Sequence, residues 1–265
     1  MSGTKVRERT DRPTFPSPHL SHAQIAKYLH CPESYRLYYV ERLRSRVPAA
    51  NLVFGQVVHQ ALAEFFRNGV DPRWYFTEEW KEMRELGLRF GPRESWEKLD
   101  QVGDALLAKF IEEETPRIGR VRAVEAPFEV DLSNLDTPFV GVIDLVADFD
   151  GKRTVIDFKT SGSAIEAHEA QLSDQLTAYQ LAEPEAEQAA LCILVKTKEP
   201  KIEWHVMTRT ADQFRDYLGK VGLVAGEITA GRFYKRSGKW CSWCEFLPVC
   251  LGDSARTDET LVKVA

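Results

Sequence analysis

The arrangement of cysteines constrains the fold of this chain more than any other feature, because it connects the two ends. Cys31 lies near the start of the 265-residue sequence, whereas Cys241, Cys244 and Cys250 lie together near its end. Thiolates bind zinc or iron–sulfur clusters, and spacing alone does not decide between them. A shared centre would close a loop of nearly the whole chain and hold the two terminal segments in contact.

The remaining sequence favours a cytoplasmic protein. The fifth cysteine, Cys192, lies in an apolar run and is predicted to be a buried strand residue. An odd, clustered set of cysteines argues against the disulfide framework of a secreted protein. No apolar run approaches the roughly 20 residues of a membrane helix, and the N-terminus has no apolar signal core. We expect no membrane contact and a disordered leader over 1–19.

The hydrophobic pattern predicts a helical N-terminal part and then alternating strands and helices. Ser21 is a suitable N-cap for a short helix that ends near Leu29, and an apolar stripe predicts a helix over 54–66. The other predicted elements are helices at 74–87 and 95–115, strands at 121–130, 139–149 and 153–159, a helix at 168–182, strands at 189–196 and 201–208, and a helix from Thr210 or Asp212 to about Ala230.

This order predicts an α/β fold in a single domain over 20–252. Residues 20–120 form its helical part, 121–230 its core and 231–252 a cysteine-rich tail, followed by a flexible C-terminus at 253–265.

Two aspartates and a lysine interrupt apolar strands. Asp144 follows Gly-Val-Ile, and Asp157 and Lys159 share one face of the next strand because they are two residues apart. A buried aspartate costs free energy unless a cation or hydrogen bonds compensate it. Phosphodiester hydrolysis needs such a cation and a group that positions water. Gln175 and Tyr179, four residues apart, share one face of a predicted helix and could hold the lysine, a water molecule or a phosphate oxygen.

In this order the motifs resemble those of the PD-(D/E)xK nuclease superfamily. The similarity is greatest to its RecB-type branch, which includes the AddB C-terminal nuclease and the iron–sulfur exonucleases of CRISPR adaptation modules. It covers about residues 20–252 and implies a restriction-endonuclease-like αβββαβ core with an N-terminal helical elaboration.

The resemblance also implies roles for the site residues. His59, in Gly-Gln-Val-Val-His on an upstream helix, would bind Mg²⁺ or Mn²⁺ together with Asp144 and Asp157. Lys159 would orient the attacking water, and the glutamine and tyrosine of the following helix would support it. Glu125 stands where the family often carries a glutamate, but we expect it to be a strand-edge charge with a supporting role at most.

Three neighbouring cysteines with one distant cysteine are, in the resembled family, the ligands of a [4Fe–4S] cluster. The resemblance assigns that cluster to Cys31, Cys241, Cys244 and Cys250. His30 is expected to end a helix and not to be a ligand.

These properties predict a metal-dependent exonuclease that degrades single-stranded DNA from an end, with 5′-to-3′ polarity implied by the resemblance alone. A net charge of −5 does not favour nucleic-acid binding. Basic clusters around Arg44, Lys198 and Arg236 nevertheless provide local phosphate-binding groups. Two alternatives remain: a DNA-end-binding adaptor or subunit that works beside a helicase, integrase or recombination protein, and a site-specific endonuclease.

Overall fold

The computed structural model describes residues 17–132 and 137–264. Most of the predicted leader over 1–19 lies outside these residues, and so does the turn-prone pair Ser133-Asn134 between the strands predicted at 121–130 and 139–149. The α-helices are α1 (His22–His30), α2 (Pro32–Tyr35), α3 (Ala50–Asn68), α4 (Pro72–Glu82), α5 (Trp96–Lys109), α6 (Ala167–Gln171), α7 (Asp174–Ala182), α8 (Ala211–Thr229), α9 (Leu247–Leu251) and α10 (Ser254–Thr260). The strands are β1 (Leu20–Ser21), β2 (Leu43–Ser45), β3 (Ile118–Val130), β4 (Phe139–Phe149), β5 (Lys152–Ser161), β6 (Gln188–Val195), β7 (Lys201–Met207) and β8 (Leu261–Lys263).

A mixed six-stranded sheet contains the strands β1 and β3–β7. Antiparallel β3 pairs with one edge of β4. The other edge of β4 is shared, because its start pairs with parallel β1 and its end, from Leu145 onwards, pairs with antiparallel β5. β5 then pairs in parallel with β6, and β6 pairs with antiparallel β7. The parallel pair requires a crossover connection, which α6 and α7 supply.

The two faces of the sheet pack against different helices. Cys192 on β6 lies in the core formed with α3, α4 and α5, whereas its neighbours Leu191 and Ile193 lie in the core formed with α7. The alternation follows from the two-residue period of a strand. Cys192 is fully buried, as predicted. Within the described residues, no helix is both long and apolar enough to cross a bilayer.

The helix predicted over 168–182 consists of two helices, α6 and α7. Ser173 between them accepts a hydrogen bond from the Leu176 amide at 3.3 Å and so caps α7. The guanidinium of Arg209 donates to the carbonyl oxygens of Gln171 and Ser173 at 2.5 and 2.9 Å. In a continuous helix the Gln171 carbonyl would have accepted from the Gln175 amide, so Arg209 satisfies a group that the break leaves without its helical partner and stabilises the break. Ser173 O still accepts from the Thr177 amide at 3.2 Å.

The structure also differs from the flexible C-terminus expected over 253–265. Residues Ser254–Thr260 form α10, and β8 pairs antiparallel with β2. Leu261 is 4% exposed and packs with Leu37 and Phe246. Backbone pairing and this small apolar cluster therefore fix the end of the described chain.

Candidate active site

Asp144 lies at the point where β4 and β5 separate. The ladder between these strands ends at Leu145, which is opposite Ile156. Beyond this pair, the amide of Phe158 on β5 donates to Asp144 Oδ2 at 2.8 Å. The carboxylate thus accepts a backbone hydrogen bond at the end of the ladder, and this bond fixes its position between the two strands.

Asp157 and Lys159 lie on the other face of β5 from Ile156 and Phe158, which pack under α3–α5. Asp157 is only 1% exposed. Its Oδ2 lies 2.7 Å from Lys159 Nζ, but the two atoms do not have hydrogen-bond geometry. Within the described residues this buried oxygen therefore accepts no hydrogen bond.

A chain of hydrogen bonds connects Lys159 to α7. The ammonium donates to Gln175 Oε1 at 2.6 Å, and Gln175 Nε2 donates to the Tyr179 hydroxyl at 2.8 Å. Tyr179 is 5% exposed, and burial, together with the nearby aspartates, raises its pKa. The tyrosine therefore remains neutral and holds the glutamine, which in turn orients the lysine.

His59 approaches the site from α3. Its Nδ1 lies 3.5 Å from Asp144 Oδ2. Burial lowers the pKa of this imidazole, although the charge of Asp157 opposes the effect. A neutral imidazole is the form that binds a metal ion. Gly55, one helical turn before His59, allows α3 to pack closely against β5. A Cβ atom at Gly55 would lie only 3.1 Å from Thr160 Oγ1 on β5.

The electrostatics of the two aspartates favour a bound cation. Burial, and then the charge of Asp157, raises the pKa of Asp144 well above its usual range. One lysine is too little positive charge for two buried carboxylates. Carboxylates with an imidazole suit a hard divalent cation, and the unbonded oxygen of Asp157 is available to such an ion. His59, Asp144 and Asp157 therefore have the right chemistry for a metal site.

In the structure as described, residues 17–132 and 137–264, no three His, Cys, Asp or Glu side chains converge closely enough to bind one metal ion.

A cavity of about 1040 Å³ is lined by His59, Asp144 and Glu125. Glu125 lies on the edge strand β3, where a strand-edge charge was expected, and it also lines this cavity; its supporting role stays a prediction. Its φ of 48° is unusual for a residue other than glycine. Burial raises the pKa of its carboxyl group. Strained backbone of this kind often accompanies function, and the sequence contains no local signal for it.

His22 is a residue that the sequence did not indicate. It is the first residue of α1, and its buried Nδ1 has no hydrogen-bond partner within the described residues. Burial lowers its pKa, and the charges of Asp174, Lys159 and Asp157 also act on it. This histidine therefore lies near the active-site lysine, a position that no spacing in the sequence indicates.

The four terminal cysteines meet elsewhere in the molecule. Their thiols are free, and all four residues line one cavity of about 290 Å³ between the α1–α2 junction and the C-terminal tail. Burial raises the pKa of the Cys244 thiol, and neighbouring Cys31 and Cys241 contribute in the same direction. The structure thus brings together the distant cysteine and the local three.

Hydrogen bonds hold the same two segments together. Arg236 Nη1 donates to the carbonyl oxygens of Leu29 and His30 at 2.7 and 3.1 Å. The amide of Glu33 donates to the Tyr234 carbonyl oxygen at 3.0 Å. His30 ends α1 as predicted, and its ring also lines the cysteine cavity.

Comparison with known proteins identifies the family. The model of the PD-(D/E)XK nuclease superfamily matches residues 19–251. The chain belongs to this superfamily. The crystal structure of a candidate exonuclease from Eubacterium rectale is similar to it, with a TM-score of 0.55 and 12% identity over 92% of each chain. The protein SSO0001 matches at a TM-score of 0.37 and 16% identity, over 74% of this chain and 85% of that one. No curated protein matches the chain significantly.

Membership confirms the predicted fold class. The superfamily core corresponds to α3, the strands β3–β5, α7 and β6, in the predicted order αβββαβ. The chain is thus a nuclease that depends on a divalent metal such as Mg²⁺ or Mn²⁺.

Proposed function

We propose that this superfamily member is an exonuclease that hydrolyses single-stranded DNA from an end. The proposal rests on the carboxylates at the point where β4 and β5 separate. There the buried Oδ2 of Asp157 lies beside Lys159 and accepts no hydrogen bond within the described residues. A binding module would have no need for a buried carboxylate pair held at such electrostatic cost.

The roles follow from the contacts. His59, Asp144 and Asp157 would hold the divalent ion, which when bound supplies charge neutralisation of the phosphate and activation of water. The Lys159 side chain places its ammonium group at the site. This group donates a 2.6 Å hydrogen bond to Gln175 Oε1, which fixes its orientation. An ammonium so fixed orients a water molecule by donating to it.

The test uses purified protein and end-labelled single-stranded DNA, with and without Mn²⁺ or Mg²⁺. Asp157→Asn keeps the buried volume and should abolish cleavage, while Asp216→Ala, at an exposed position on α8, should cut like the wild type. A closed single-stranded circle should remain intact. Cleavage of the circle would favour the endonuclease alternative, and binding of DNA without cleavage would favour the adaptor.

We also propose that Cys31, Cys241, Cys244 and Cys250 hold a [4Fe–4S] cluster. Four free thiols around one cavity of about 290 Å³ support this assignment. Each thiolate of a [4Fe–4S] cluster binds a different iron, so the four sulfurs need not converge on one ion. The donor set fits the group, and a cluster there would join α1 to the tail.

The cluster proposal is tested by the visible absorption and the iron and sulfide content of anaerobically purified protein. Cys244→Ala should give colourless protein of low thermal stability. Cys192→Ala is the matched control, because its thiol is buried in β6 away from the cavity. A brown, stable Cys244→Ala protein would exclude the assignment, and zinc in place of iron would indicate a zinc centre.

A further inference from the structure

A basic groove lies beside the active-site cavity. It has a volume of about 960 Å³ and runs between the start of α5 and the turn that joins β6 to β7. Only one of its lining residues, Glu94, is acidic. Four are basic, namely Arg93, Lys98, Lys196 and Lys198. Its local charge is therefore opposite in sign to that of the whole chain.

The groove adjoins the active-site cavity. Asn51 lines that cavity, donates to Glu94 Oε2 at 3.0 Å and accepts a hydrogen bond from Lys196 Nζ. Glu94 and Lys196 both line the groove. On β5, Thr160 lines the cavity, and Gly162, two residues later, lines the groove. The two spaces therefore adjoin through one hydrogen-bonded network and one strand end.

The basic side chains of the groove are available to a ligand. Lys109, farther along α5, forms an ion pair with Glu113 at 2.6 Å. In contrast, among the residues described here Arg93, Lys98 and Lys198 form no ion pair, and all three are exposed. Uncompensated charges gathered around one groove are the usual means by which a protein binds phosphates.

The remaining lining is partly apolar and includes Leu99, Val102 and Pro200. Apolar side chains of this kind contact the apolar parts of sugars and bases. The volume corresponds to that of a small-molecule site, about 300–1,000 Å³, which accommodates a few nucleotides and does not enclose a duplex.

On the basis of the nuclease function proposed above, we infer that this groove binds the phosphate backbone of one DNA strand that continues from the active-site cavity. Lys98 and Lys198 line the groove from two different elements, one from α5 and one from the β6–β7 turn. They are therefore the groups that would contact the backbone from both sides.

The experiment measures binding of a fluorescently labelled single strand by anisotropy, with EDTA present and over a series of salt concentrations. The double variant Lys98→Ala, Lys198→Ala is compared with Lys201→Ala, which removes an exposed lysine at the same turn but outside the groove. On a single strand each phosphate contact contributes about 0.7 to the salt slope, which is about fivefold in affinity at 0.1 M salt. The double variant should lose about 1.4 from the slope and about 25-fold in affinity, whereas Lys201→Ala should bind like the wild type.

An unchanged slope in the double variant, or an equal loss in Lys201→Ala, would overturn the inference. Equal loss of affinity for a blunt duplex would overturn the assignment to a single strand. Binding is measured without metal and without turnover, so a wild-type protein that binds but never cuts would refute the nuclease proposal alone.

Discussion

Gly141, three residues before Asp144, provides a sharp test of how packing controls the active site. Gly141 on β4 is paired with Phe128 on β3, and the phenylalanine ring covers it. A Cβ atom at this position would lie 2.5 Å from Phe128 Cζ and 2.6 Å from Cε1. Favourable carbon contacts begin near about 3.5 Å, so in Gly141→Ala the ring must move by roughly 1 Å.

Two opposing effects determine how much Gly141→Ala changes the free energy of unfolding. Overpacking a well-filled site costs about 1–3 kcal/mol. Removing the conformational freedom of a strand glycine returns about 0.5–1 kcal/mol. The free energy of unfolding should therefore fall by about 1–2 kcal/mol, and the Tm by about 3–6 °C for a chain of this size.

The same movement should reach Lys159, the proposed catalytic lysine. The Phe128 ring contacts Tyr179 edge to face, with centroids 6.1 Å apart, and Tyr179 holds Gln175. Misplacement of a catalytic group by about 1 Å costs up to about a hundredfold in rate. Because two hydrogen bonds intervene before Lys159, we expect kcat to fall by about tenfold.

The assay combines thermal melting with single-strand hydrolysis. Gly119→Ala on β3 is the matched control, because its added Cβ would meet the nearest atoms of Asp148 at an ordinary 3.5 Å. Phe128→Leu added to Gly141→Ala should restore part of the lost stability. Equal melting temperatures for the two glycine variants would refute the packing argument, and a lower Tm with unchanged kcat would refute its extension to the lysine.

Three other substitutions test the site directly. Lys159→Met should lower kcat by about 10²- to 10⁴-fold, measured by single-turnover cleavage, while the Kd for single-stranded DNA changes little; a fully active variant would exclude the lysine. Glu125→Gln should raise the Mg²⁺ concentration needed for half-maximal activity, because it removes a negative charge from the cavity, and Glu129→Gln on the exposed side of β3 should not. His59→Ala should likewise weaken the metal dependence without unfolding the protein, and an identical metal titration would remove it from the site.

Local signals explain the parts of the fold that the sequence predicted well. Ser21 caps α1 through a 3.3 Å hydrogen bond from Gln24 N, and Thr210 caps α8 in a complete capping box with Gln213. Such caps use residues within one turn of each other, so a single sequence contains all the information needed. The strand position of Asp157 and Lys159 was equally accessible, because these residues interrupt an apolar strand, and their catalytic role stays a prediction.

The parts that were missed depend on distant residues. β8 forms only because Leu261 and its neighbours pair with β2, at the far end of the sequence. Glu125 enters the cavity through a positive φ, which the glutamate itself does not favour. The break before α7 depends on Arg209, which lies beyond two intervening strands. None of these contacts produces a periodic or compositional signal in its own segment.

The fold connects the cysteine centre to the nuclease site through one short segment. β1 pairs with the start of β4, just before Gly141, and α1 continues directly from β1 to Cys31. α1 also contacts α7, which carries Gln175, and α8. The segment that brings Cys31 to the cysteine cavity therefore also supports the strand of Asp144 and the helix behind Lys159. If the proposed cluster is present, its loss in Cys244→Ala should consequently lower kcat for single-turnover cleavage through displacement of α1, even though the cysteines and Asp144 line separate cavities; an unchanged kcat would refute this connection.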